Sequence, residues 1–201
     1  VKLFYKLRDG LFYFINNKFY IIKNLDAPDF KGRNVEDVAK LDEKLSKYPH
    51  MVDEFVKENP LNFSEVELSI ISQWKKLVKG DFSEPKAYHV YGLQDEISDI
   101  LPFEPYMAKT LLFPFSGKIV YSSVLMGYNV TFGGGMKNSF YKDYIKAKSK
   151  FGLVESLDAP LKEKEDSKEE LLRFYLKNEA NRMTNWGEIQ DLLKKEPNLI
   201  K

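Results

Sequence analysis

The order of apolar and polar positions predicts a chain that begins helical and turns to strand near its middle. Over residues 2–22, Leu3, Phe4, Leu7, Leu11, Phe14 and Ile15 recur at helical spacing, with Gly10 a weak point inside the run. NLDAPDFKGRN (24–34) is rich in turn formers, and Asn34 can cap a helix carrying Val35, Val38, Leu41 and Leu45 on one side. MVDEFVKEN (51–59) reads as a short helix stopped by Pro60. The clearest helix start follows: Ser64 and Glu67 have capping-box spacing, and Phe63 and Leu68 are placed as the hydrophobic staple. Val66, Ile70, Ile71, Trp74, Leu77 and Val78 then trace one face. Gly80 stands where a left-handed C-terminal residue belongs, so one helix is predicted from Ser64 to Gly80.

Beyond GDFSEP the period shortens. AYHVYGL (87–93) alternates as a strand, QDEISDIL (94–101) reads as a short helix, and MAKTLLFPF, KIVYSSVL and YNVTF are β-prone. Ser116-Gly117 and Met126-Gly127 separate the last three, the spacing of an antiparallel meander. After three glycines, Asn138 or Ser139 is expected to cap a helix carrying Phe140, Tyr144, Ile145, Ala147 and Phe151, closed by Gly152. SLDAPLKEKED reads as a linker. Ser167 with Glu170 makes a second capping box, and a last helix starts at Asn185 and stops before Pro197. The expected class is α+β: a helical first half, a small mostly antiparallel sheet and C-terminal helices. The expected organisation is one domain over 1–154, helical in 1–80 and sheet-containing in 81–154. An acidic linker and helical appendage then occupy 155–201.

Composition narrows the functional classes. Lys plus Arg number 31 against 30 acids, so the chain lacks the basic excess usual in a general nucleic-acid binder. With no cysteine there is no disulfide, thiolate metal site or thiol nucleophile, which fits a reducing cytoplasm. The richest apolar run, LFYFINNKFYII, is broken by Asn16, Asn17 and Lys18, well short of the ~18 apolar residues of a spanning segment. The start lacks the long uncharged core of a signal peptide, and because it opens on Val, residues upstream are expected. A cytoplasmic protein with no membrane contact is the expectation.

The glycine run, Gly133-Gly134-Gly135, is the most suggestive local feature. A Walker loop fails because Met136 separates Gly135 from Lys137, and the dinucleotide fingerprint fails because Asn138 stands where its third glycine belongs. What survives is a strand, a glycine bend, a cation and a helix N-terminus, so Gly134, Gly135, Lys137 and Asn138 form a candidate anion site. The plain alternative is that the glycines serve the turn alone, through φ > 0. Two histidines, His50 and His89, with no spaced carboxylate motif, leave metal binding without a case. No catalytic residue is assigned, and no cofactor is expected. Residues 137–150 carry five lysines against Asp143, while 155–170 carry seven acids against three lysines. The basic helix could meet phosphates, or pair loosely with the acidic stretch.

DEFVKENPLNFSEVELSIISQWKKLVKG, LLFPFSGKIVY and the glycine-bend helix ending in FGLVESL together resemble a prokaryotic family of unknown function. Its members share an ENP before a capped Trp helix and an LLPF-x-G-K-I-Y motif. The likeness spans roughly residues 50–157 and implies a prokaryotic origin without implying a mechanism. Relatives of this kind carry a further aromatic- and Lys-rich segment after KG-x-F. Here KGDF passes straight into SEPKAY, so a stretch is expected to be missing between Phe82 and Ser83.

Three functional classes follow. The favoured one is a non-catalytic binding or regulatory protein that uses its aromatic-rich surface or C-terminal helices, with a protein partner preferred over nucleic acid. The others are a nucleic-acid-associated protein using the helix at 138–151, and an enzyme with dispersed catalytic residues. A deep pocket holding a charged group of shifted pKa would point to the enzyme.

Overall fold

The computed structural model describes residues 1–79, 85–93, 97–100, 107–122, 124–128, 130–158, 160–164 and 167–200. The Phe82–Ser83 junction and the predicted cap at Gly80 lie outside them. The contacts divide the chain into two compact units. The first holds Val1–Asp81, His89–Thr131 and Glu155–Ala159; the second holds Phe82–Tyr88, Phe132–Val154 and Pro160–Lys201.

In the first unit, helices α1 (Lys2–Phe19), α2 (Val35–Lys47), α3 (Met51–Glu58) and α4 (Glu65–Gln73) precede the strands. Asn34 caps α2 by accepting the Glu36 N–H at 2.9 Å. Asn59 closes α3 in the left-handed region at φ 41°, one residue before Pro60. The capping box of α4 is complete: Ser64 Oγ accepts the Glu67 N–H, and the Glu67 carboxylate accepts the Ser64 N–H at 2.9 Å. Gly10 is no weak point. A Cβ there would lie 2.8 Å from the Phe63 ring and 2.9 Å from Leu61, so its absence lets α1 press against the segment after α3.

The strands of this unit are short. β1 (Val78–Lys79) leads, followed after β2 by β3 (Val90–Tyr91), β4 (Ala108–Lys109), β5 (Leu111–Phe115), β6 (Lys118–Tyr121) and β7 (Met126–Gly127). β2 (Ala87–Tyr88) belongs to the second unit. The larger sheet has the order β1-β5-β6-β3, with β1 and β6 antiparallel to β5 and β3 parallel to β6. A separate antiparallel pair joins β4 to β7. The β5–β6 hairpin turns through Ser116 and Gly117, both at positive φ (52° and 74°), as a two-residue turn matched to strand twist demands. A short helix, α5 (Ile97–Ile100), precedes β4.

The fold is therefore α+β, with mixed rather than uniformly antiparallel pairing, and several predicted elements are altered: the strands expected at AYHVYGL and MAKTLLFPF each divide between two sheets, and two further changes are larger. The helix predicted to reach Gly80 ends at Gln73 and passes through a single 3-10 turn, because Val78 and Lys79 pair with Leu112 and Leu111 of β5. The strand predicted at YNVTF is not formed among the described residues; pairing falls instead on Met126–Gly127, the predicted turn. The core lies between α1–α4 and the sheet. Trp74, fully buried, packs its ring 5.5 Å from Phe4 and 5.2 Å from Phe113, and its indole N–H donates to the Pro114 carbonyl at 3.1 Å. Aromatic pairs of this kind contribute about 0.5–1.5 kcal/mol beyond the area they bury.

The second unit contains β2 paired parallel with β8 (Leu153–Val154), together with α6 (Gly134–Phe151), α7 (Ser167–Leu176), α8 (Glu179–Thr184) and α9 (Trp186–Lys195). Leu172, Tyr175 and Ile189 form its small core, flanked by Leu171, Phe174, Leu192 and Leu193. The second predicted capping box is not made: Ser167 lies inside α7 and is buried, and the Glu170 carboxylate accepts from Lys164 at 3.1 Å.

Candidate functional site

Residues read from the sequence as an anion site lie at the start of α6. That helix begins one turn earlier than predicted, at Gly134, with Gly133 as N-cap at φ −69°. None of the three glycines takes positive φ, and a Cβ on any of them would meet open space, so neither turn geometry nor close packing demands glycine here. Lys137 and Asn138 are exposed in the first two turns. Of the lysines further along, Lys142 and Lys146 pair with Glu188 of α9, and Lys148 sits 5.7 Å from the Tyr144 ring centroid. A partner of the basic helix is thus α9, and Tyr141 and Tyr144 are exposed on it.

The histidines are surface groups. His50 lies 3.7 Å from Glu54, and His89 stacks on Tyr91 at 4.4 Å and approaches Glu155 at 3.8 Å. Among the described residues no cluster of three or more His, Asp or Glu could hold a metal ion. Among the described residues no helix is long and apolar enough to cross a membrane.

The most developed polar arrangement involves residues that the sequence reading did not single out. Asp42 of α2 falls inside the apolar stripe, four residues after Val38 and three before Leu45, and is only 7% exposed. The Ser122 hydroxyl, fully buried just after β6, donates to Asp42 Oδ2 at 2.6 Å and accepts the Val124 N–H at 3.3 Å. Arg8 of α1, also buried, donates to the Ser122 carbonyl at 2.8 Å, while the Ser122 N–H donates to the Leu111 carbonyl of β5 at 3.0 Å. One serine therefore ties together α1, α2, β5 and β6.

Asp42 Oδ1 is different. It is sealed from solvent and has no hydrogen-bond partner. Burial pushes the carboxyl up from 3.8 to about 7, against the opposing pull of the Ser122 hydroxyl, Arg8 and Lys109. Leaving a buried acceptor unmatched costs about 1–3 kcal/mol, so the arrangement is conspicuous in a packed core.

Asp42 lines a cavity of about 260 Å³. From α2 come Glu36, Ala39, Lys40, Glu43 and Ser46; from the strands come Lys79, Lys109, Leu111 and Met126, with Thr110 and Val124 from the segments between them. Most of the lining is apolar and the charges gather on exposed side chains, which is the usual make-up of a ligand pocket. Chemically the site can enclose an apolar body and hold one proton near neutral pH, and it would accept a ligand's hydrogen bond at Oδ1 once the Asp42 side chain turns toward the cavity. Ser122 is fully buried and already donating, while two part-buried hydroxyl residues, Ser46 and Thr110, also border the cavity, and Thr110 donates to the Leu111 carbonyl at 3.4 Å.

The chain matches no protein family, no curated protein and no solved structure.

Proposed function

We propose that this is a non-catalytic binding protein of a prokaryotic cytoplasm, and that its ligand is a small molecule held in the Asp42 cavity. The observation that carries the reading is the buried Asp42 carboxyl, with its Oδ1 unpartnered, bordering a cavity whose lining is largely apolar. A ligand bringing one donor would satisfy that oxygen, the Asp42 side chain turning toward it, while its apolar part covers Leu111 and Val124. This keeps the class expected from the sequence but moves the ligand from an aromatic-rich surface to the interior of the first unit.

The test uses 3-methylbutan-1-ol, an uncharged probe with a branched apolar body and one hydroxyl. Its addition is expected to shift the methyl signals of Val124 and Met126, and Ala39→Trp, which fills the cavity, should abolish the shift. Equal binding to a folded Ala39→Trp protein, or no shift in the wild type, would sink the proposal. The near-neutral Asp42 also favours a second reading, an enzyme using this carboxyl as acid or base. The largely apolar lining makes binding the better account. A probe chemically altered after prolonged incubation with the protein would reverse that preference.

A further inference from the structure

The cavity rim is charged with both signs, and the signs come from different elements. The helical side, α2, supplies Glu36, Asp42 and Glu43, whereas the strands supply Lys79 of β1 and Lys109 of β4. In an ordinary solvated rim such groups pair with one another. Here Lys40 is tied back to Asp37 at 2.7 Å, and among the described residues no ion pair joins Lys79 or Lys109 to a carboxylate. Nor does one join Glu36 or Glu43 to a cation. Two cations and a set of carboxylates thus border one largely apolar space with no direct ion pair between them among the described residues, Lys109 acting on Asp42 only from a distance. A cavity lined by both signs attracts a molecule that carries both.

We propose that the ligand is a small zwitterion with an apolar body, an α-amino acid being the class that fits. Its ammonium group meets the α2 carboxylates, with Asp42 Oδ1 as the buried acceptor, and its carboxylate meets Lys79 and Lys109. The side chain lies on Leu111, Val124 and Met126. Each ligand charge then finds an opposite partner, and the ammonium provides the donor that Oδ1 lacks. This inference rests on the small-molecule reading above, and the probes separate the two.

The experiment compares L-leucine, N-acetyl-L-leucine, L-leucinamide and 3-methylbutan-1-ol by protein-detected NMR titration. L-leucine is expected to bind most tightly, with blocking of either end weakening it by about tenfold or more, the scale of one charged hydrogen bond. The double variant Lys79→Ala/Lys109→Ala, two surface changes that leave the core intact, should lose the preference for L-leucine over L-leucinamide. Asp42→Asn should lose the preference for L-leucine over its N-acetyl form. If the alcohol binds as well as L-leucine, or the double variant keeps the full preference, the zwitterion proposal is overturned while the cavity reading stands. If none of the four binds, both fall.

Discussion

Replacing Asp42 with asparagine should invert its effect on stability across neutral pH. In the unfolded chain the carboxyl titrates near 3.8, and in the folded protein burial raises it to about 7. Between those values the folded state holds a proton that the unfolded state has lost, so stability is highest below 3.8 and falls as pH rises through about 7. That interval corresponds to a loss on the order of 4 kcal/mol. The groups facing the carboxyl are Arg8 of α1, Lys109 of β4, Lys79 of β1, the Ser122 hydroxyl and Glu36, Lys40 and Glu43 of α2. Asparagine cannot ionise and keeps an oxygen for Ser122, but leaves an amide N–H unmatched at a cost of about 1–3 kcal/mol. At about pH 8 the variant should therefore be more stable than the wild type by about 1–3 kcal/mol, and at about pH 5 less stable by a similar amount. Urea denaturation of both proteins, followed by far-UV circular dichroism across this range, measures the difference directly. His50 and His89 are common to both proteins and cancel in it. Two parallel stability curves, with a constant gap and no crossing, would refute the assignment of a raised, buried carboxyl at position 42.

Two further substitutions test the packing and capping arguments. Ser64→Ala removes the side-chain half of the α4 capping box, leaving the N–H of residue 64 on the Glu67 carboxylate, and should cost about 1 kcal/mol, read as a lower urea midpoint with an unchanged denaturant slope. An unchanged midpoint would mean that the cap adds nothing to the folded state. Tyr175 is 1% exposed, and its hydroxyl has no partner. Tyr175→Phe should slow amide exchange in α7 and α9, with a gain of up to about 1–3 kcal/mol from losing the unmatched group; faster exchange would show that the hydroxyl has a partner.

What could be read in the sequence was the local chemistry. The Ser64–Glu67 box, Asn34 as a cap, Asn59 before Pro60 and the Ser116-Gly117 turn each depend on residues a few positions apart, and all are found in the structure. Two local readings failed, since the Ser167–Glu170 box is not made and α6 starts before Asn138; the remaining failures were of another kind. Val78 continued the period of α4, but the backbone of Leu112, a residue far along the chain, draws it into a strand. Gly10 looked like a weakness because its neighbours Leu61 and Phe63 are distant in sequence. The candidate site was hidden for the same reason, since Ser122 lies 80 positions from Asp42. One signal was available: a carboxylate inside the apolar stripe of an amphipathic helix, where a solvated charge has no place.

The two tryptophans divide between the compact units, Trp74 fully buried in the first and Trp186 57% exposed in the second. Each unit therefore carries its own fluorophore in a contrasting environment. Trp74 should emit towards the blue and resist iodide, while Trp186 should emit towards the red and be quenched freely. With Trp186→Phe as the reference, intrinsic emission alone reports whether the unit holding the Asp42 cavity melts together with the helical unit or separately from it.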